Sequence, residues 1–170
     1  TETPRIENGI EKLEAPDAHG FEDAFDPRDY LNEYYGVGLN DEDLFHAQFL
    51  ANAVAQFPPG FAAHEFGGGP ALYSVAALAA KAGEIHFSDV VPASLEEVRH
   101  WLVGSADAFD WRPYIRIALE AEGIAPTDAA VAVREARMRS LITRLMVCDA
   151  QQPKPLGDLG LVYDVVAANH

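Results

Sequence analysis

From residue 61 onward, short apolar runs that end on glycine or a polar residue alternate with longer stretches of helical spacing. Nothing else in the chain limits the fold as much. Residues 61–66, 84–88, 144–148 and 162–168 read as four strands. Between them lie an alanine-rich helix over 71–82 stopped by Gly83 and a helix opened by Ser94-Leu95-Glu96-Glu97 at capping-box spacing, carrying Trp101 and Leu102. A further helix follows Pro113 with Tyr114, Ile117 and Ala118 inward, and another runs from Thr127-Asp128 to about residue 142. Strands alternating with helices predict an α/β fold, a parallel sheet covered on both faces.

Residues 1–24 are polar and acidic and are interrupted by Gly9, Pro16 and Gly20, which predicts a flexible or partly helical arm. Tyr30, Tyr34 and Tyr35 then crowd into six positions. Asn40-Asp41-Glu42-Asp43 offers an N-cap and first-turn acids for a helix over 44–57. Its apolar stripe is Leu44, Phe45, Phe49, Ala53, Val54 and Phe57, with Gln48, Asn52 and Gln56 opposite, and Pro58-Pro59-Gly60 ends it. The division expected is an N-terminal arm and helical cap over 1–58 and an α/β core over 59–170.

Charge narrows the partners. Twelve basic residues against 27 acidic ones give −15 with histidines neutral, which repels phosphate backbones and anionic membranes alike. No apolar run approaches the ~20 residues of a spanning helix, and no basic-plus-apolar leader opens the chain. The single Cys148 excludes a disulfide framework, and the six histidines show no metal-ligand spacing. The expectation is a soluble cytoplasmic protein that binds no nucleic acid, membrane or metal.

In such sheets ligands bind beyond the carboxyl ends of the strands. Gly67-Gly68-Gly69 follows the first strand, Asp89 the second, Cys148-Asp149 the third and Asn169 the fourth. Glycines at the first turn let backbone approach a ligand closely, and an acid after the second strand is placed to accept two ribose hydroxyls. Together they point to an adenosine-type ligand, although each alone also reads as an ordinary turn or cap. Leu72 stands where the dinucleotide fingerprint has its third glycine, the one that packs the helix tightly under a pyrophosphate. S-adenosylmethionine, which has ribose and adenine but no phosphate, fits better than a dinucleotide.

Four stretches in order carry a specific resemblance: Phe25-Asp26-Pro27-Arg28-Asp29-Tyr30-Leu31-Asn32-Glu33-Tyr34-Tyr35, Gly67-Gly68-Gly69-Pro70-Ala71-Leu72-Tyr73, Phe109-Asp110-Trp111-Arg112-Pro113, and Cys148-Asp149 followed by Pro155-Leu156-Gly157. Over roughly residues 21–170 the chain resembles the nicotinamide, phenylethanolamine and indolethylamine N-methyltransferase family. That resemblance implies a Rossmann-like methyltransferase core and methyl transfer from S-adenosylmethionine to a nitrogen of a small-molecule amine or N-heterocycle, leaving S-adenosylhomocysteine. It implies that Tyr30 and Tyr35 close over the cofactor from the cap, that Tyr73 contacts its methionine part, and that Gly67 and Gly69 line it. Asp89 holds the ribose hydroxyls, Asp149 with the backbone of Ala150 recognises adenine, and Asn169 lies near the methionine carboxylate. Trp111 reads as core.

Three departures accompany the resemblance. Glu65 stands where the family has an acid two residues before its first glycine, with a longer side chain. Ser94 replaces an asparagine and reads either as a ribose contact or simply as the N-cap. The sequence stops after the fourth expected strand, whereas the family sheet has seven. This implies a piece of a longer protein or a second chain that completes the sheet, with self-association through the exposed apolar edge. No catalytic residue is assignable. Two rival readings are a non-catalytic nucleotide-binding or interaction protein derived from the fold, and a fragment of a nicotinamide-dinucleotide oxidoreductase, which would need a small residue at Leu72.

Overall fold

The computed structural model describes residues 5–7, 10–13 and 25–168. The helices are α1 Pro27–Tyr34, α2 Asp41–Ala55, α3 Tyr73–Leu78, α4 Pro92–Leu102, α5 Arg112–Ala121 and α6 Asp128–Leu141. The strands are β1 Arg5–Glu7, β2 Ile10–Leu13, β3 Ala62–Phe66, β4 Glu84–Asp89, β5 Ile142–Val147 and β6 Val165–Ala167. They form one sheet in the order β1-β2-β5-β4-β3-β6. β2, β5, β4, β3 and β6 pair in parallel, and β1 pairs antiparallel with β2. The chain thus has the α/β, Rossmann-like core expected, preceded by helical elements.

The arm departs from expectation. Arg5–Glu7 and Ile10–Leu13 are strands, and β2 adds to the outer edge of β5, pairing Glu11 with Arg144 and Leu13 with Met146. A sheet edge offers a row of unpaired backbone N–H and C=O groups, and pairing there outweighs the weak local preference of a polar segment. The rest of the arm, residues 1–4, 8–9 and 14–24, lies outside the described residues, as does Asn169.

Alternation along the strands sorts their side chains by face. Ala63, Ile85, Phe87 and Leu145 enter a core with Val75 and Leu78 of α3, Leu95 and Val98 of α4, Ile115 of α5 and Met138 of α6. His64, His86 and Ser88 face the other way. Nε2 of His64 lies 2.8 Å from Oγ of Ser88. The loop after β5 lays Tyr163 on that face, its ring stacked on His64 at 4.7 Å and its hydroxyl 2.8 Å from Nδ1 of His86. Both strand histidines are engaged by neighbours within the fold, and burial lowers the pKa of His64 to about 4. Trp111 is core as expected, 2 % exposed among Tyr35, Phe109 and Tyr114.

The caps follow local chemistry. Asn40 accepts from the backbone N–H groups of Glu42 and Asp43, while Asp43 returns a bond to Asn40 N at 2.9 Å. Thr127 caps α6 by accepting from Ala130 N. At the other ends, cations take the orphan carbonyls. Lys81 donates to the carbonyls of Ala55 and Phe57 after α2, and Arg137 donates to those of Ala79 and Ala82 after α3. Arg134, buried on α6, donates to Ala76 O and makes a bidentate pair with Glu122 at 2.7 and 2.6 Å.

Two further expectations need correction. On α2 the buried residues are Ala47, Leu50, Ala51 and Val54, whereas Leu44, Phe45 and Phe49 are 47 %, 67 % and 59 % exposed. This face packs on α3 and α5, where Ala47 meets the same seam as Ala77 and Ala118. The fourth expected strand is also shorter, beginning at Val165, and Val162 is exposed. Asp164 forms the entry instead: its backbone N–H donates to Ala62 O while its carboxylate accepts from Ala62 N, each at 2.9 Å.

Candidate functional site

The carboxyl ends of β3 and β4 lie side by side, and a cavity of about 290 Å³ opens beyond them. Its floor is the turn from β3 into α3. Gly67 and Gly69 adopt φ of +69° and +57°, a region L side chains rarely enter. Gly68 is glycine for a different reason: a Cβ there would fall 2.5 Å from Cζ of Phe87 and 2.9 Å from Cγ of Glu65. The turn is fastened to β4, because the N–H groups of Gly67 and Gly68 both donate to Ser88 O, at 2.9 and 3.1 Å.

Asp89 ends β4 and is 6 % exposed. One carboxylate oxygen accepts from Gly69 N and the other from Val91 N, each at 2.9 Å. It thereby joins the glycine turn to the start of α4. Ser94 lies in the first turn of α4, fully buried and facing the cavity, and its Oγ has no hydrogen-bond partner. The N-cap reading of Ser94 is corrected: Val91 is the N-cap residue and Pro92 the first helical one. Asp89, reaching forward to Val91 N, takes the backbone N–H of the N-cap residue itself.

The roof comes from the cap. Asp26 accepts from Arg28 N and Asp29 N, and Pro27 occupies the first helical position, so α1 is started by local chemistry alone. Leu31 is its fully buried anchor. Phe25, Tyr30 and Tyr35 line the cavity from this side and Tyr73 from the start of α3. Tyr35 stacks on Tyr73 at 5.9 Å and meets Tyr30 at 6.1 Å. Burial, reinforced by neighbouring hydroxyls, pushes the Tyr35 hydroxyl far above its ordinary pKa, and burial pushes Tyr73 up to about 12. Both stay neutral donors at any ordinary pH.

The structure therefore brings together Tyr30, Tyr35, Gly67, Gly69, Tyr73, Asp89 and Ser94. Asp149 and Ala150 follow the end of β5, one strand away. Cys148 N donates to Asp89 O at 3.0 Å, but the Asp149 carboxylate accepts from Gln151 N and Gln152 Nε2 and does not line the cavity. Sequence reasoning left Phe25, Gly68, Ser74 and Val91 unassigned, and it took Glu65 only as a departure. Glu65 was within reach, since it alternates with the core residue Ala63 and so faces the same side of β3. Phe25 and Val91 carried no signal, because only the approach of separate elements puts them at the rim.

Charge gives the cavity its character. Glu65 and Asp89 are both buried carboxylates in its wall, and among the described residues no lysine or arginine lines it. Leu72, where a dinucleotide site has glycine, is fully buried.

The NNMT/PNMT/TEMT family model matches residues 14–168, nearly the whole chain. The chain belongs to this family. It is 30 % identical over 143 residues to indolethylamine N-methyltransferase of Mus musculus, covering 81 % of this chain and 53 % of that protein. It is 29 % identical over 143 residues to nicotinamide N-methyltransferase of Homo sapiens, with the same shares. Against phenylethanolamine N-methyltransferase of Bos taurus it is 27 % identical over 148 residues, covering 81 % of this chain and 50 % of that one. This NNMT/PNMT/TEMT family chain spans about half the length of the curated relatives it matches. Among its described residues no helix is long and apolar enough to cross a membrane.

Proposed function

We propose that this chain carries the cofactor half of an S-adenosylmethionine-dependent methyltransferase that acts on a nitrogen of a small-molecule amine or N-heterocycle. The observation that carries the reading is the charge of the cavity: two buried carboxylates and four aromatic rings, with no basic side chain among the described lining residues. A pyrophosphate would meet bare repulsion there, whereas a sulfonium cation suits carboxylates and tyrosine faces. Ser94 supports a polar ligand, because a fully buried hydroxyl with no partner costs stability unless something else satisfies it.

Each residue then has a task. Asp89, which ends β4 beside the glycine turn, receives the two ribose hydroxyls. Ser94 Oγ hydrogen-bonds the same sugar. The glycine turn brings backbone against the ligand, with Gly68 leaving room for Phe87 behind it. Tyr73 and Glu65 face the amino-acid portion, and Tyr30 and Tyr35 cover the sulfonium and exclude water. Asp149 with Ala150, after the end of the neighbouring strand β5, reads the adenine edge. When bound, S-adenosylmethionine supplies an activated methyl group on a cationic sulfur. Displacement at that carbon needs donor and acceptor in line, and fixing that geometry can supply most of the acceleration.

Calorimetric titration with S-adenosylhomocysteine tests the reading, with NAD and the Asp89→Ala variant as controls. One-site binding that is lost in the variant and absent with NAD is the expected result. A folded chain that binds NAD and ignores S-adenosylhomocysteine overturns it.

A further inference from the structure

Arg28 of α1, placed in the tyrosine-rich motif, has no task in the site described above. Its guanidinium lies 2.5 Å from Oε1 of Glu97 on α4. Glu97 is largely enclosed, its side chain 11 % exposed, and Arg28 is at 34 %. Glu97 follows Ser94 by three residues, so it stands one helical turn from the wall of the cavity. On α1, Arg28 is two residues before Tyr30, which forms the roof. α1 packs directly against α4, and Leu31 is the only buried residue among its eight.

From this arrangement we infer that Arg28 and Glu97 form a clasp that holds the aromatic cap closed over the cavity and sets how fast the ligand leaves. The inference rests on the cofactor reading. The floor, the Asp89–Ser94 wall and the cap are three separate pieces of chain, and the cavity is roofed only while α1 stays on α4. A helix with one buried apolar anchor is weakly held. Removing one partner from an ion pair whose carboxylate is mostly out of water leaves an uncompensated enclosed charge, which is costly. Arg28 and Glu97 are positioning residues, since neither lines the cavity.

The test uses wild type, Arg28→Gln, Glu97→Gln and the charge exchange Arg28→Glu/Glu97→Arg. Hydrogen exchange of the α1 amides without ligand reads the clasp. The dissociation rate of S-adenosylhomocysteine from the immobilised chain reads its effect on retention. The single variants are expected to lose α1 protection and to release the ligand about tenfold faster with little change in association rate, and the exchange is expected to restore both. Raising salt should speed release from the wild type and leave the single variants unchanged. Equal α1 protection in all four proteins overturns the clasp. Lost protection with an unchanged release rate overturns its control of the ligand. A protected wild type that binds no S-adenosylhomocysteine overturns the cofactor reading, and the retention role with it.

Discussion

Gly68→Ala isolates a purely steric requirement of the glycine turn. The new Cβ would stand 2.5 Å from Cζ and 3.0 Å from Cε2 of Phe87, and 2.9 Å from Cγ of Glu65. Carbon atoms pack best about 3.5–4.0 Å apart, so the overlap with the ring is about 1 Å. Phe87 is fully buried and cannot swing aside, and the loop cannot retreat without stretching the bonds from Gly67 N and Gly68 N to Ser88 O. Overpacking of this kind costs about 1–3 kcal/mol. At about 2 kcal/mol, a chain of this size should melt some 4–8 °C lower. Gly69→Ala makes the contrast: its Cβ meets nothing within 4 Å, and only the φ of +57° opposes it, at roughly 1–2 kcal/mol. The single variants look alike, but a second substitution separates them. Phe87→Leu removes the atoms in the way, at its own cost of about 1–2 kcal/mol. Urea unfolding followed by the fluorescence of Trp101 and Trp111, each 2 % exposed, measures all combinations. Gly68→Ala/Phe87→Leu should be more stable than the sum of its parts predicts by about 1–2 kcal/mol, whereas Gly69→Ala/Phe87→Leu should be additive within about 0.5 kcal/mol. Additivity in both pairs would refute the steric account.

Three other perturbations follow from the packing. Arg134→Met strands the enclosed carboxylate of Glu122 and breaks the tie to Ala76 O, so chemical denaturation should show a loss of about 3–5 kcal/mol, with part recovered in Arg134→Met/Glu122→Leu. His64 keeps a pKa near 4 in the folded chain, chiefly through burial and secondarily through His86, against an ordinary 6.5. Above pH 6.5 it is neutral in both states and has no effect. Between 6.5 and 4 only the unfolded chain takes the proton, so stability should fall with pH by up to about 1.4 kcal/mol per unit, and His64→Asn should flatten that part of the profile. Asn40→Ala removes the side-chain arm of the α2 capping box, leaves the bond from the backbone N–H of residue 40 to Asp43, and should cost about 1 kcal/mol in the same unfolding assay, while Asn52→Ala on the exposed face should change little.

Local chemistry was legible along the chain. Asn40 and Thr127 start their helices by bonding amides two or three residues away, and Asp26-Pro27 starts α1 in the same way. The glycine turn and Asp89 were legible for a related reason. A strand that must turn sharply into a helix needs residues that tolerate positive φ, and a parallel strand's carboxyl end is where the sheet opens. Those constraints act within a few residues, so the order of the sequence contains them.

Contact between distant segments was not legible. Periodicity placed Phe45 and Phe49 inside because they are large and apolar, yet α2 turns Ala47, Leu50, Ala51 and Val54 toward α3 and α5. Ser94 reads as a cap in the sequence, whereas the helix starts at Pro92 and encloses Ser94 in its first turn. Arg134 and Arg137 satisfy carbonyls in and just after α3, 55 to 58 residues away. From residue 25 onward the sequence by itself determined which segments become strands and helices, where the chain turns and which loop borders the cavity, because backbone preference and side-chain capping operate over one turn of chain. The tertiary structure alone decided which face of α2 is buried, that polar residues near the N-terminus extend the sheet, and that α1 lies on α4 with Arg28 against Glu97. Each of these depends on a partner tens of residues away, whose position no local preference encodes.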